Sequence, residues 1–283
     1  MNRIAKRALV ALTMVLLIAA LVSIAGYRNS VADPVVRRAT LHLPHWPAGA
    51  APVTAVLIGD VHIGGVTMDG ERLTHIVDGV NALRPDIVLL AGDFVAGHDP
   101  VKARRFAAGL TQPLARLRAP LGVVAVLGNH DHWTAPDIVV SALQRAGVSV
   151  LSNAAIERGP LAIIGVDDAF SDHADVARSR ASAAALPGVR IVLSHSPNVL
   201  PMLPRDTGTL VLLAHTHCGQ VVLPLIGPLV EHSPFTGQWL YDPRYRCGIV
   251  RDPHRTIVIT GGLGGPPVRL GAAPDLWLLT LGP

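Results

Sequence analysis

The sequence predicts a layered α/β fold with buried sheets, and three observations carry that prediction. Short apolar runs bounded by Gly, Asp or Pro recur at 53–58, 87–91, 123–127, 161–166, 191–193, 210–214, 257–260 and 276–281. Runs of that length with such boundaries read as buried strands. Helical periodicity separates the early ones, over 70–83, 101–117, 136–146 and 172–185, so the order is βαβαβα followed mostly by strands. That alternation places helices over packed sheets. Half of the 283 residues are hydrophobic and only 16% are charged, with 27 glycines and 23 prolines. Such a composition suits many short buried strands and tight turns, and excludes a disordered chain or a plain helical bundle.

Ahead of the first strand, residues 8–26 form an uncharged apolar run of 19 residues after Arg3, Lys6 and Arg7. As a helix rising 1.5 Å per residue it covers about 28 Å, enough to cross a hydrocarbon core. A cleaved signal normally has a shorter apolar region, and Ser30-Val31-Ala32 matches a cleavage site poorly. An uncleaved anchor is the favoured reading. The expected organisation is a basic N-terminus (1–7), a membrane anchor or signal segment (8–26), a linker or edge segment rich in proline (27–52) and one large domain (53–283). Arg28, Arg37 and Arg38 follow the span closely, so the positive-inside bias is nearly balanced. The signal-like order of charge and then apolar run favours a single-pass anchor with an extracytoplasmic, periplasmic domain, with a cytoplasm-facing domain as the alternative.

The net charge of +4 and pI near 9.6 permit acidic partners. The basic residues are scattered, however, and aromatics make up only 4% of the chain. Without basic runs interleaved with stacking rings, no nucleic-acid-binding module is expected. The two cysteines, Cys218 and Cys247, are too few for a disulfide framework. One bridge in an oxidising compartment and two buried thiols both remain open, and the thiols are the favoured reading.

Chemistry concentrates where the predicted strands end. They run into Asp60 and His62, into Asp93, into Asn129-His130-Asp131, into His195, and into His215 and His217. A lone Asp after a strand is usually a turn or cap residue. A lone His is usually structural. Five such groups are different, because burying carboxylates and imidazoles together is costly unless a cation neutralises them. Ligands of open α/β sheets gather at the carboxyl ends of strands, so these groups can converge on one place.

This ordered set, D-x-H, G-D, G-N-H-D, a single His and H-x-H, resembles the calcineurin-like metallophosphoesterase family over roughly residues 53–281. The resemblance extends to that family's membrane-associated bacterial branch of YaeI- and YkuE-type phosphodiesterases. It rests on the segment from Gly128 to Trp133, on His215 to Gln220, and on Gly262-Leu263-Gly264 followed by Pro267-Val268-Arg269. It implies a four-layer αββα sandwich of two mixed sheets behind an N-terminal transmembrane helix. Carried over residue by residue, it implies one metal on Asp60, His62 and His217, a second on Asn129, His195 and His215, and Asp93 bridging both. His130 would protonate the leaving oxygen or stabilise the charge there, with Asp131 orienting its ring. A ligand set of nitrogens and oxygens without thiolates suits Mn²⁺, Fe²⁺ or Zn²⁺ rather than Ca²⁺. The implied reaction is hydrolysis of a phosphodiester, lipid-linked ones included, by metal-activated water. Two rivals stand beside it: a pyrophosphate hydrolase of the UDP-2,3-diacylglucosamine type, which needs a cytoplasmic domain, and a non-catalytic metal-site scaffold.

Secondary signals are weaker. The glycines of 261–265 precede Pro266-Pro267 rather than a helix, so they read as a turn near the metal site and not as a dinucleotide loop. His132 and Trp133 line the substrate mouth or pack at an edge. His173, His232 and His254 are read as surface residues. The apolar stretch 221–230 packs on the core by default, with a lip facing the bilayer as the sharper alternative.

Overall fold

The computed structural model describes residues 3–205, 209–233 and 237–283, so Met1 and Asn2 of the basic N-terminus lie outside the described residues. The apolar run becomes α1 (Arg3–Ser30), whose most hydropathic window has no residue buried against protein. The helix outlasts the predicted 8–26, and its last turn docks on the domain with Gly26 and Ser30 buried.

The stretch 27–52, read as linker or edge segment, needs correction as a linker. It contains β1 (Val35–His42), which pairs in parallel with the C-terminal strand from Val35↔Asp275 to His42↔Gly282. Most of β1 is exposed or half-buried and it carries Arg37 and Arg38, so an edge strand hides behind a polar pattern. Pro34 and Pro44 bound it, where proline is tolerated.

The chain continues through β2 (Val53–Ile58), α2 (Gly70–Ala82), β3 (Ile87–Ala91), α3 (Pro100–Leu114), β4 (Val123–Val126), α4 (Asn129–Thr134), α5 (Pro136–Arg145) and β5 (Ser149–Val150). Asp69 and Asp99 cap α2 and α3 by accepting from Arg72 N and Val101 N, which satisfies donors that a helix start leaves free. The second half holds β6 (Ala154–Arg158), β7 (Leu161–Gly165), α6 (Val176–Ser182), β8 (Val189–Leu193), β9 (Thr209–Leu213), β10 (Val222–Leu223), β11 (Gly227–Pro228), β12 (Gly248–Arg251), β13 (Arg255–Ile259) and β14 (Asp275–Gly282). Helix α6 is shorter than the predicted 172–185 because Ser171 and His173 bond back to Asp168, and Asp175 caps the helix only from Val176.

Two mixed sheets form, ordered β1-β14-β2-β3-β4-β5 and β12-β13-β9-β8-β7-β6. Alternate residues of each central strand enter different cores. Val56, Val88 and Leu90 pack on Leu73, Val77, Leu110 and Leu143 of α2, α3 and α5. Leu57, Leu89 and Val124 face Ile163, Ile191 and Leu212 of the other sheet. Ile164, Val192 and Val211 meet Ala183, Val199 and Leu203 on the far side. Burial on both faces explains why these strands read as continuous apolar runs. The layers are helices, sheet, sheet and helix, as the four-layer expectation required. Edge strands β6 and β12 carry no such run and escaped the sequence reading.

Candidate functional site

Strands β2, β3, β4, β8 and β9 deliver their polar residues to one edge of the sandwich. The loops are tied strand to strand: Asp60 N donates to Gly92 O, His62 N to Asp93 O, and Ala214 N to His195 O, each within 2.9–3.0 Å. Asp60, His62, Asp93, His215 and His217 all have positive φ, between 47° and 72°. Non-glycine residues rarely adopt that conformation, and its clustering marks a place where backbone strain is tolerated for what the side chains do. Glycine makes room where the loops close. A Cβ on Gly262 would lie 2.4 Å from Asp60 Cβ, and one on Gly128 would lie 2.3 Å from Asp93 Oδ1.

Two groups of donor atoms result. Asp60, His62 and His217 present ligand atoms within 4.8 Å of one another, as do Asp93, His195 and His215. Asp93 Oδ2 lies between them, 3.5 Å from His62 Nε2 and 3.3 Å from His195 Nε2. Around His195 Nε2 stand Asn129 Oδ1 and His215 Nδ1, both at 3.2 Å. Carbonyls fix the ring orientations: His195 Nδ1 is 2.7 Å from Ala91 O, and His215 Nε2 is 3.2 Å from Leu240 O. With a proton on each of those nitrogens, the opposite nitrogen turns to the centre as an acceptor, the usual support for a metal-binding histidine. Acceptors facing acceptors call for a cation. Asp60 Oδ1 and His62 Nε2, both buried, have no hydrogen-bond partner among the described residues. The residues therefore fit two adjacent cations.

The electrostatics point the same way. Burial pushes Asp60 up to about 7, and the Asp93 charge adds to the effect. Burial holds His62 and His215 down to about 3 and His217 well below its ordinary range. For Asp93 burial acts upward, but His195 and His130 outweigh it and carry the carboxyl well below its usual value. For His195 burial acts downward, yet neighbouring Asp93 carries the imidazole well above 6.5. A positive charge at this spot is what the surrounding acceptors need, whether as a proton or as a cation.

His130 stands at the rim, half-buried, its ring 4.8 Å from that of His62. Its Nδ1 is 3.2 Å from Gly97 O, and its backbone N donates to Asp93 Oδ1 at 2.8 Å. The expectation that Asp131 orients this ring needs correction. Asp131 Oδ1 accepts from Phe94 N and Val95 N, and Oδ2 accepts from Gly128 N, so the carboxylate staples the β3 and β4 loops together. Burial, and then the Asp93 charge, pushes its own pKa up to about 7. His132 does not line the mouth either. It bonds Asp167 Oδ1 at 2.7 Å and stacks on exposed His173 at 3.7 Å. Trp133 does reach the mouth, its ring 5.5 Å from His130, 4.9 Å from His98 and 6.0 Å from Phe170, which in turn lies 4.6 Å from His215.

Two features were not settled by the sequence reading. Cys218 and Cys247 form a disulfide, contrary to the favoured pair of thiols, because the chain between them folds back within 4.8 Å Cα to Cα. Arg269 is fully buried, donates to the carbonyls of Gly261 and Gly264, and has Nη2 3.1 Å from His217 Nδ1. Its only signal in the sequence was its place after Pro267-Val268 in the resemblance.

Comparison with known proteins adds three relatives and a family. The sequence profile of the calcineurin-like phosphoesterases matches residues 53–219. A putative metallophosphoesterase of Caenorhabditis elegans is 25% identical over 279 residues, covering 91% of this chain and 54% of its own length. A transmembrane protein with metallophosphoesterase domain from Danio rerio is 27% identical, covering 95% of this chain and 62% of its own. Phosphodiesterase YaeI of Escherichia coli strain K12 is 30% identical, covering 82% and 83%. The chain thus spans 54% and 62% of the length of the first two of these relatives.

Proposed function

Because this chain belongs to the calcineurin-like phosphoesterase family, we propose that it is a dinuclear-metal phosphodiesterase acting on a membrane- or envelope-related phosphoester. The observation that carries the reading is the position of Asp93 Oδ2 between the two donor groups, within 3.3–3.5 Å of a histidine nitrogen from each. Asp60, His62 and His217 would hold one ion and Asn129, His195 and His215 the other, with Asp93 available to both. Mn²⁺, Fe²⁺ or Zn²⁺ suits these nitrogen and oxygen donors, and when bound such a pair lowers the pKa of a water and neutralises phosphoryl oxygens.

The remaining work falls to the chain itself. His130, with its Nδ1 against Gly97 O, turns Nε2 to the mouth and protonates the leaving oxygen. Trp133 and Phe170 wall the approach and orient the ester's organic portion. Preference for a diester rests on the name of YaeI. Attachment by α1 rests on its length and exposed apolar surface, and a transmembrane relative supports it. The Cys218–Cys247 bridge favours a domain on the oxidising side of the membrane, since thiols in the cytoplasm are kept reduced. That disfavours the pyrophosphate hydrolase of cytoplasmic substrates, and the complete donor set disfavours a scaffold without turnover.

The test is a screen of phosphomonoesters and phosphodiesters with the Mn²⁺-loaded full chain. Hydrolysis of diesters above monoesters is expected, with Asp93→Asn lowering turnover by about a thousandfold or more. Wild-type turnover that survives Asp93→Asn would refute the reading.

A further inference from the structure

Among the described residues of the domain, the hairpin of β10 and β11 brings several exposed apolar side chains together in sequence. Its tip holds Leu225 and Ile226, 108% and 72% exposed, and Leu229 and Val230 continue the surface just beyond. Leu225 also has φ of 67°, a conformation that leucine rarely adopts. An aliphatic side chain held out in this way has no packing reason within the domain, and such patches mark contacts with something else.

What that something is follows from where the hairpin is rooted. Val222 N donates to Leu270 O at 2.8 Å, Leu270 N donates to Gln220 O at 3.0 Å, and Gln220 Nε2 donates to Val268 O at 2.9 Å. The same segment receives the end of α1. Arg269 N donates to Gly26 O at 3.1 Å, and Asn29 Nδ2 donates to Arg269 O at 3.0 Å. The approach is so close that a Cβ on Gly26 would stand 2.4 Å from Val268 Cγ1. The apolar run ends at Gly26, and Arg28 is the first charged residue after it. With α1 read as the membrane anchor, the residues that hold the hairpin lie where the helix leaves the hydrocarbon. Leu225 is three residues from Val222, a reach of about 10 Å, comparable to the depth of an interfacial segment.

We propose that the hairpin tip inserts into the leaflet from which α1 emerges, and seats the metal site to take phosphoesters whose apolar part stays in that leaflet. The second half of this statement rests on the phosphodiesterase reading above, and the first half on the reading of α1 as a membrane anchor. The site and the membrane seat share chain: His217 lies three residues before Gln220, and Arg269 touches both His217 and α1. An amphiphilic ester held by its acyl chains beside Leu225 presents its headgroup towards the donor cluster.

The experiment uses the full chain reconstituted in phosphatidylcholine vesicles, with and without bromine on the acyl chains. Leu225→Trp is compared with Glu157→Trp, the exposed position of edge strand β6, after subtraction of the wild-type tryptophan signal. Quenching of Leu225→Trp by brominated lipid at least about twofold above the control is expected for a side chain at interfacial depth. Equal quenching overturns insertion, and so does protection of Leu225→Trp by contact with a second copy or a soluble protein. In the second arm, replacing Leu225 and Ile226 with Ser is expected to lower the ratio of vesicle-lipid to bis(p-nitrophenyl) phosphate turnover by about tenfold. An unchanged ratio overturns substrate presentation. If the wild type turns over neither ester, the phosphodiesterase reading falls while the quenching arm still decides insertion.

Discussion

The crowding of charge at the candidate centre makes a sign-reversing prediction for Asp60→Asn. Asp60 is completely buried, and burial raises its pKa from 3.8 to about 7 in the metal-free protein. Ionising it in the folded chain is then harder than in the unfolded chain by about 4 kcal/mol. Below pH 3.8 both states hold the proton and nothing is lost. Between 3.8 and 7 the unfolded chain releases it first, so this group's contribution falls as pH rises, and above 7 the loss is complete. Asparagine never ionises, and it keeps an oxygen for the His215 N–H that Asp60 Oδ2 accepts at 3.1 Å. Its amide must find a new partner, which takes back part of the gain. From pH 5 to pH 8 the metal-free variant should therefore gain on the wild type by about 2–3 kcal/mol, or roughly 5–10 °C in Tm, since the cost of the amide is the same at both pH values. Added Mn²⁺ should reverse the order, because the variant has lost an anionic ligand and gains less from binding. The assay is thermal unfolding of the chelator-treated, detergent-solubilised full chain at both pH values, repeated with Mn²⁺. A pH-independent difference, or a metal-free variant less stable than wild type at pH 8, refutes the electrostatic account.

Other outcomes follow from single contacts. His130→Gln should lower turnover of alkyl phosphodiesters by about 10²- to 10⁴-fold and that of nitrophenyl esters far less, because nitrophenolate leaves without a proton; equal losses would remove the proton-donor role. Asp131→Leu strands three buried N–H groups, so it should cost at least about 3 kcal/mol in denaturant unfolding and lower the bound metal content. Asp131→Asn should retain part of both. Paired Cys218→Ser and Cys247→Ser changes open a loop of 29 residues' separation and should cost about 3–4 kcal/mol under non-reducing conditions. Dithiothreitol should have no further effect on that double variant.

The central strands were legible because each is buried on two faces, which leaves an uninterrupted apolar run ending in polar residues. The same logic explains the failures. β1 carries Arg37 and Arg38 on an exposed edge, where Arg37 pairs with Asp275, so no apolar run announces it. Adjacency in sequence also says little about direction in α4. Residues 130 and 132 lie on different faces of a helix, so His130 faces the mouth while His132 turns to Asp167. Asp131, between them, points back under the β3 loop. Arg269 and the disulfide depend on contacts between segments far apart in sequence, which neither periodicity nor spacing encodes.

Those two features bear on one stretch of chain. His215, His217, Cys218 and Gln220 all have positive φ within six residues, and each such residue costs of order 1 kcal/mol or more. Left alone, this stretch would relax and take two histidines of the centre with it. Three braces oppose that: the Cys218–Cys247 bridge, the Arg269 guanidinium beside His217, and the Gln220 contacts to Pro266 and Val268. Two of them converge on the segment that also receives the last turn of α1 through Gly26 and Asn29. The apolar helix is thus more than a tether of arbitrary length. Its docked end supports the chain that holds His217, so the positions of the candidate metal ligands and the seat of the domain on its helix are set by the same contacts.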